Sequence, residues 1–319
     1  VLRRTHVTPR SAERRRIVTV LALRRNMLIV FNPTAGAGRR RRLARALAVL
    51  GARGLRPELA ETQAPGDARA FAREAAARGI RLVAAAGGDG TIAEVAAGLA
   101  GSAASLGVLP LGTANVLAWE LGVPAAPEAA AAVLAEGQDQ AVWPGIARFG
   151  DGSTRLFVQM LGAGFDAAVV AGLELRLKRR LGRAAYVLQT ARELPRYRFP
   201  PIGVTLDGAA HQAASVIVTK GRLYAGRHLL APAARPAEPG FQVVLFHRGG
   251  AGAALLAGLA LPLGLVPRLP GVEILPARQV AMAGAAVPVQ ADGDPAGQLP
   301  VAVADAAAPL RIRLPRPRR

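Results

Sequence analysis

Apolar positions along this chain fall into two textures. From Met27 onward, short apolar runs alternate with Ala-rich helical stretches, the pattern of parallel βαβ units. It predicts strands at Met27–Phe31, Arg56–Glu61, Arg81–Ala86 and Ser105–Leu109. Helices are expected between them at Arg39–Arg53, Ala68–Arg78 and Thr91–Leu99, with shorter ones at Asn115–Leu121 and Ala126–Ala135. Beyond about Gln140, β-like runs take over at Leu156–Gln159, Ile202–Leu206, Ser215–Thr219, Phe241–Phe246, Val287–Gln290 and Leu310–Leu314. Pro, Gly and Asp punctuate them, which points to a mostly antiparallel second domain interrupted by a helical excursion from Leu173 to Leu194. The chain therefore reads as an α/β protein of two domains. Residues 26–140 would form a nucleotide-binding α/β domain with a mostly parallel sheet, residues 141–319 a β-rich domain, and residues 1–25 a disordered basic tail, with the boundary at Gln138–Pro144.

Composition narrows the chemistry. An apolar share of 51% and a mean hydropathy of +0.27 suit a soluble globular protein whose 319 residues supply a sizeable core. The stretch Gly249–Pro267 carries no charge, but its glycines and Pro262 make a buried or interfacial helix the expectation there, and no transmembrane helix is expected. The formal net charge is +20, nearly all of it arginine, since Lys178 and Lys220 are the only lysines. Such a surface attracts nucleotide phosphates, anionic lipid or nucleic acid. Part of the excess is compositional bias toward Arg, Ala, Gly and Pro. With aromatics at 4% there is little to stack on bases, so nucleic acid is not an expected partner. The basic run Arg39–Arg42 could contact ATP phosphates or an anionic bilayer, but a solvated helix face is the first reading, and Arg176 with Lys178–Arg180, and Arg192 with Arg196 and Arg198, read the same way. Zero cysteine excludes disulfides, thiolate nucleophiles and Cys-ligated metal centres. The four histidines, His6, His211, His228 and His247, show no ligand spacing, and no G-x-S-x-G elbow occurs.

Three glycine turns follow predicted strands. Gly87-Gly88-Asp89-Gly90-Thr91 sits where the Arg81–Ala86 strand ends and a helix begins. Glycines there let amide groups approach a phosphate, the helix N-terminus adds partial positive charge, and Thr91 can cap it or bind a phosphate oxygen. Asp89 would repel phosphate unless a cation bridges them, so it implies Mg²⁺ or a proton to be moved. A second turn, Leu109-Pro110-Leu111-Gly112-Thr113-Ala114-Asn115, follows the next strand. The third, Asn32-Pro33-Thr34-Ala35-Gly36-Ala37-Gly38, follows the first. It lacks Gly-Lys-Ser/Thr and so is no Walker loop, and Arg41 stands where a dinucleotide fingerprint needs its third glycine. Neighbouring βα turns of a parallel sheet lie side by side, so these loops can face one ligand.

With these motifs the chain resembles the diacylglycerol kinase catalytic-domain family, the bacterial lipid kinases related to sphingosine and ceramide kinases. The resemblance runs in order through Asn32-Pro33, Gly36, Thr62 before Gly66-Asp67-Ala68, Gly87 to Glu94, and Leu109 to Asn115. It continues through Gly162 to Ala167, Tyr224-Ala225-Gly226 and Asp292-Gly293-Asp294-Pro295, covering nearly the whole chain. It implies an α/β nucleotide domain followed by a β-sandwich-like lipid domain, with the active site in the cleft. It further implies ATP as phosphate donor, Mg²⁺ carried with it, and a lipid hydroxyl as acceptor, with diacylglycerol as the leading substrate. Carried over by position, Asn32, Thr62, Gly87, Gly88, Asp89, Gly90, Thr91, Glu94, Gly112, Thr113 and Asn115 would hold ATP, with Asp89 beside the metal-bound phosphates. The base would be Asp294, where the family has Glu two residues after the Asp of a DGE motif, or else Asp292 or Asp89. A cytoplasmic protein bound peripherally to anionic membrane is the implied setting, and the oligomeric state stays open.

The chain departs from the family at several positions. Ala93 precedes Glu94 where Asn is common, and Val116 follows the GTAN turn where many members carry Asp. Some members bind a structural cation beside an Asp-Gly pair of the second domain. Here that stretch reads Glu238-Pro239-Gly240, and no cation is expected. Taken alone, Asp292-Gly293-Asp294-Pro295 also suits an ordinary hairpin turn. Two rival readings remain at this stage: an NAD kinase-like phosphotransferase, which shares GGDGT, and a catalytically silent lipid- or nucleotide-binding regulator.

Overall fold

The segment Met-Leu-Ile-Val-Phe at Met27–Phe31 forms strand β1 with all five residues buried, as a strand covered on both faces must be. The computed structural model describes residues 26–34, 38–173 and 183–316. Residues 1–25, Arg176 and Lys178–Arg180 lie outside the described residues. Parallel neighbours β2 (Glu58–Glu61) and β3 (Leu82–Gly87) flank β1, and β4 (Ser105–Pro110) pairs with β3. The full order is β2-β1-β3-β4-β20-β5, where β5 is Gln138–Val142 and β20 is Leu310–Leu314. The sequence pattern assigns Leu310–Leu314 to the second domain, but the chain returns to place it in the first sheet, parallel to β4 and antiparallel to β5. Leu310, Ile312 and Leu314 are buried there, and Arg313 between them pairs with Asp139 of β5.

Helices α1 (Arg39–Ala52), α2 (Asp67–Ala77), α3 (Asp89–Leu99), α4 (Val116–Glu120) and α5 (Pro127–Glu136) link these strands. Small residues let the layers close up: β3 reads LVAAAG, and α3 meets α2 at Gly98. A Cβ on Gly98 would stand 2.4 Å from the Arg69 carbonyl oxygen and 2.8 Å from Ala72 Cβ. Parallel pairing brings the carboxyl ends of β1, β3 and β4 to one edge. There the amide of Asn32 donates to Ala86 O (3.0 Å), that of Thr62 to Phe31 O (2.9 Å), and that of Leu111 to Gly87 O (2.9 Å).

The second domain is two six-stranded antiparallel sheets over a shared core. One runs β10 (Ala209–Ala213), β9 (Ile202–Leu206), β16 (Gln279–Ala283), β19 (Val301–Asp305), β6 (Gly145–Phe149), β7 (Thr154–Phe157). The other runs β15 (Val272–Ala277), β14 (Phe241–Phe246), β11 (Ser215–Thr219), β8 (Met160–Ala163), β17 (Pro288–Ala291), β18 (Asp294–Gln298). Strands such as β9 alternate strictly between buried and exposed, and Phe157, Val204, Val218, Val243, Val280 and Val303 meet in the sandwich core. A ribbon of β12 (Leu223–Tyr224) and β13 (His228–Leu229) lies apart. Among the described residues three helices decorate this domain: α6 (Phe165–Ala171), α7 (Arg183–Glu193) and α8 (Ala251–Ala260). The predicted run Leu156–Gln159 is split, with β7 ending at Phe157 and β8 starting at Met160, because the intervening amides bond to Asp292 instead of a ladder.

The Glu238-Pro239-Gly240 stretch wraps a cation that belongs to the chain. The buried Lys220 ammonium donates to Glu238 O (3.2 Å), Gly240 O (2.6 Å) and Asp305 Oδ1 (2.8 Å), and lies 4.6 Å from the Phe241 ring centroid. Three oxygens and a ring face satisfy its charge. At the α2–α3 contact there is no room for one more carbon. Gly98→Ala is expected to lower the unfolding free energy by about 1–3 kcal/mol, read from chemical denaturation.

Candidate active site

The edge where β1, β3 and β4 end is built from bare backbone. A Cβ on Gly112 would stand 2.4 Å from Gly88 Cα, so the GGDG and GTAN turns touch at a distance that only glycine allows. A Cβ on Gly87 would strike Thr91 Oγ1 at 2.4 Å, and that hydroxyl accepts a bond from Asn32 Nδ2 (3.2 Å). Asn32 Oδ1 in turn receives the Thr34 amide and hydroxyl. Asn115 has φ 49° and closes its own turn: its side chain donates to Gly112 O (2.8 Å) and accepts from Gly112 N (3.1 Å). Asp89, in the first turn of α3, receives the amides of Asn115 (2.8 Å) and Val116 (2.6 Å). The GGDG and GTAN turns are thereby locked to each other and, through Asn32, to the end of β1.

Other residues expected at the nucleotide sort less uniformly. Gly88 and Gly90 are half-buried and Thr113 is exposed beside them. Thr62 is buried. Glu94 accepts the Gly66 amide (3.1 Å), so its carboxylate ties the β2–α2 loop to α3.

Two arginines of the Arg39–Arg42 run depart from the solvated-face reading. Arg39 is only 7% exposed, on the face of α1 shared with Leu43, Ala46 and Leu50. Its Nη1 donates to Asn32 O (3.2 Å), and its Nε is buried with no hydrogen-bond partner among the described residues. Nη2 comes within 4.0 Å of where a Cβ on Gly88 would stand. Burial, and then the charge of Arg42, pull its pKa down to about 10, which still leaves it protonated near neutrality. Arg42 donates to the carbonyls of Pro110 (2.9 Å), Leu111 (3.3 Å) and Ala125 (3.1 Å). Arg40 and Arg41 are exposed, and Arg40 pairs with Glu61. A desolvated guanidinium with an idle donor beside a glycine turn can hold an anion. Helical phase was the available signal, since Arg39 lies four residues before Leu43.

The second domain delivers the acids. Asp292 (φ 50°) is buried, and its carboxylate accepts the amides of Val158 (2.8 Å), Gln159 (2.8 Å) and Met160 (3.0 Å). Burial raises its pKa to about 6 against the pull of those amides, with the charge of Asp89 adding to the rise. Asp294, two residues on, lies against the head of α3: a Cβ on Gly90 would stand 2.7 Å from its Oδ2. The motifs Gly162–Ala167, Tyr224–Gly226 and Asp292–Pro295 form one unit. Tyr224 Oη donates to Asp166, Gln290 Nε2 donates to Asp166 Oδ2 (2.8 Å), and Gln290 Oε1 receives the Gly293 amide (2.8 Å). Burial pushes both the Asp166 carboxyl and the Tyr224 hydroxyl up. Glu120, at the end of α4, holds the ribbon through Arg222 Nε (2.9 Å) and the Leu223 amide (2.9 Å). Asp89, Asp292 and Asp294 thus meet at one junction, the first from one domain and the others from its neighbour.

Of the two second-domain acids, Asp292 is committed to holding the turn. Between about pH 4 and 6 the folded chain keeps its proton while the unfolded chain, with a carboxyl pKa of about 3.9, has lost it. Its stabilising contribution is therefore fully present below about pH 4 and lost as pH rises through about 6. Asp292→Asn turns an amino group toward amide hydrogens and is expected to cost about 1–3 kcal/mol. The variant should also lack the wild-type decline in unfolding free energy across that window, measured by denaturant titrations at stepped pH.

Comparison with known proteins agrees with this architecture. Residues 26–145 match the diacylglycerol kinase catalytic domain, and residues 159–315 match the YegS C-terminal NAD kinase beta sandwich-like domain. A Pseudomonas aeruginosa protein named "Probable lipid kinase YegS-like" is 38% identical over 177 residues, 53% of this chain and 56% of that protein. The match thus spans little more than half the length of that relative. A diacylglycerol kinase of Bacillus subtilis is 34% identical over 212 residues, 64% of this chain and 68% of the relative. A solved diacylglycerol kinase structure from Bacillus anthracis superposes with a TM-score of 0.67 at 19% identity, covering 90% of this chain and 96% of that one. Two domain matches in tandem and a shared fold place this chain in the diacylglycerol kinase and YegS-like lipid kinase family.

Proposed function

We propose that the protein is an ATP-dependent lipid kinase that transfers the γ-phosphate of ATP to a hydroxyl of a membrane lipid, with diacylglycerol the leading acceptor and phosphatidic acid its product. The observation that carries this reading is the Asp294 carboxylate, brought by one domain against the bare head of α3 in the other. In this scheme the amides of the glycine turns, Thr91, Thr113 and the Arg39 guanidinium bind the phosphates. The acceptor oxygen attacks the γ-phosphorus, the bond from phosphorus to the β,γ-bridging oxygen breaks, ADP leaves, and the hydroxyl proton passes to Asp294. Asp292 keeps the turn that aims Asp294.

Mg²⁺ carried with the ATP phosphates suits the carboxylate oxygen that Asp89 offers. Among the described residues no three His, Cys, Asp or Glu side chains form a ready cage, so phosphate oxygens would supply the remaining ligands. Bound there, the ion would offset charge on the transferring phosphoryl group. No helix among the described residues is long and apolar enough to cross a membrane. Access to a lipid acceptor is therefore peripheral in this reading, supported by the net charge of +20.

Labelled ATP offered with fractionated detergent-dispersed lipids, and separately with NAD, tests the reading. Label is expected in a glycerolipid fraction; label in NAD alone, or in neither, overturns it. Asp294→Asn should lower kcat about 100-fold or more with the KM for ATP little changed. Arg39→Met should raise the KM for ATP about tenfold, the loss of one charge-assisted hydrogen bond, with kcat much less affected. Steady-state kinetics with the identified lipid separate the two.

A further inference from the structure

Helix α8 has the composition of a core helix and the position of a surface one. Its sequence, AGAALLAGLA, contains no polar side chain, yet Ala260 is its only buried residue. Leu255 is 54% exposed, Leu256 52% and Leu259 64%, and Leu263 just beyond it is 71% exposed. Leu255, Leu256 and Leu259 share one helix face. A Cβ added at Gly250, Gly252, Gly258 or Gly264 would meet nothing within 4 Å. Contiguous apolar surface of this kind marks a docking site.

Charge at its borders selects the occupant. Arg248 precedes the helix and Arg268 follows it, both exposed and without a carboxylate partner among the described residues. Glu273 nearby is bonded to His247 (2.9 Å). Phe199 packs on Gly249 just before the helix, where a Cβ would stand 2.9 Å from Phe199 Cβ, and exposed Arg196 and Arg198 immediately precede Phe199 in the chain. A second copy would oppose these arginines with their equals, whereas anionic headgroups complement them while the leucines enter the acyl region. Ten helical residues reach about 15 Å, half of a hydrocarbon core of about 30 Å, so the helix lies in the plane of the interface.

The opposite side of this segment leads to the active site. Ala260, Leu261, Val266 and Leu269 pack in one apolar cluster with Val116 and Met160. The amides of those last two bond to Asp89 and Asp292.

We propose that α8 and the turn through Leu265 form the bilayer-docking element, inserting in the plane of an anionic leaflet and joining it to the catalytic junction by a continuous apolar wall. The purpose of the contact rests on the lipid-kinase reading; its physical basis does not. The test is sedimentation of the full chain with vesicles of phosphatidylcholine, with and without phosphatidylglycerol, over a salt series. Wild type should bind the anionic vesicles, less so as salt rises. Leu255→Glu/Leu259→Glu should lose about tenfold or more of that partitioning while keeping its thermal unfolding temperature and its turnover of a short-chain, water-soluble diacylglycerol. Leu256→Trp, independently, should show a blue-shifted emission increment over wild type on anionic vesicles alone. Wild-type partitioning by the double variant, no shift at position 256, or a wild-type dimer that the double variant abolishes with vesicle binding intact would overturn the proposal. If vesicle binding depends on these leucines but no lipid accepts phosphate, the docking surface stands and the kinase reading falls.

Discussion

A carboxylate can rest against the head of a helix only where the helix has no side chain to keep it away. Gly90 meets that condition for Asp294, and Gly112 does the same for the backbone of Gly88. The partial positive charge at the start of α3 favours the acid that lies there, and free amides at such a terminus equally favour phosphate. The two domains therefore meet in a shared field. A side chain at either glycine would force these close approaches apart.

Holding that meeting point requires buried polar groups, which are costly unless every donor and acceptor is met. The Asp166, Tyr224 and Gln290 side chains satisfy one another and fix the Gly293 amide, while three amides fix Asp292. Rotation of Asp294 is constrained from behind by this network and from the front by α3. Across the domain boundary, Glu120 bridges α4 to Arg222 and Leu223. As the amides at the start of α4 bond to Asp89, one short helix connects the glycine turns to the second domain.

Much of this was legible in the sequence because the controlling physics is local. Met27–Phe31, Ile202–Leu206, Ser215–Thr219 and Phe241–Phe246 form strands with the limits their apolar runs predict. The glycine turns announced themselves through spacing at strand ends, and the structure brings them together. Most of what escaped was set by partners far along the chain. Leu156–Gln159 breaks at Val158 because its amides turn to a carboxylate 134 positions later, which no window of neighbours contains. The Arg39–Arg42 run reads as uniform charge, yet helical phase buries its first member and exposes the next two. Glu94 fits the family pattern in type, but its oxygen is engaged by Gly66. Asp294 is recognisable as an acid in a turn; its contact with Gly90 exists only after both domains have folded.

The seat of β20 between β4 and β5 has a consequence for biogenesis. During translation the ribosome delivers the whole sandwich before the strand that fills this slot, so the first domain emerges with β5 lacking its neighbour. That vacancy is closed only by a late arrival, which makes completion of the first lobe contingent on the second. Severing the polypeptide just after β5 would leave an open seam in the sheet, ready to recruit a stray strand from another molecule.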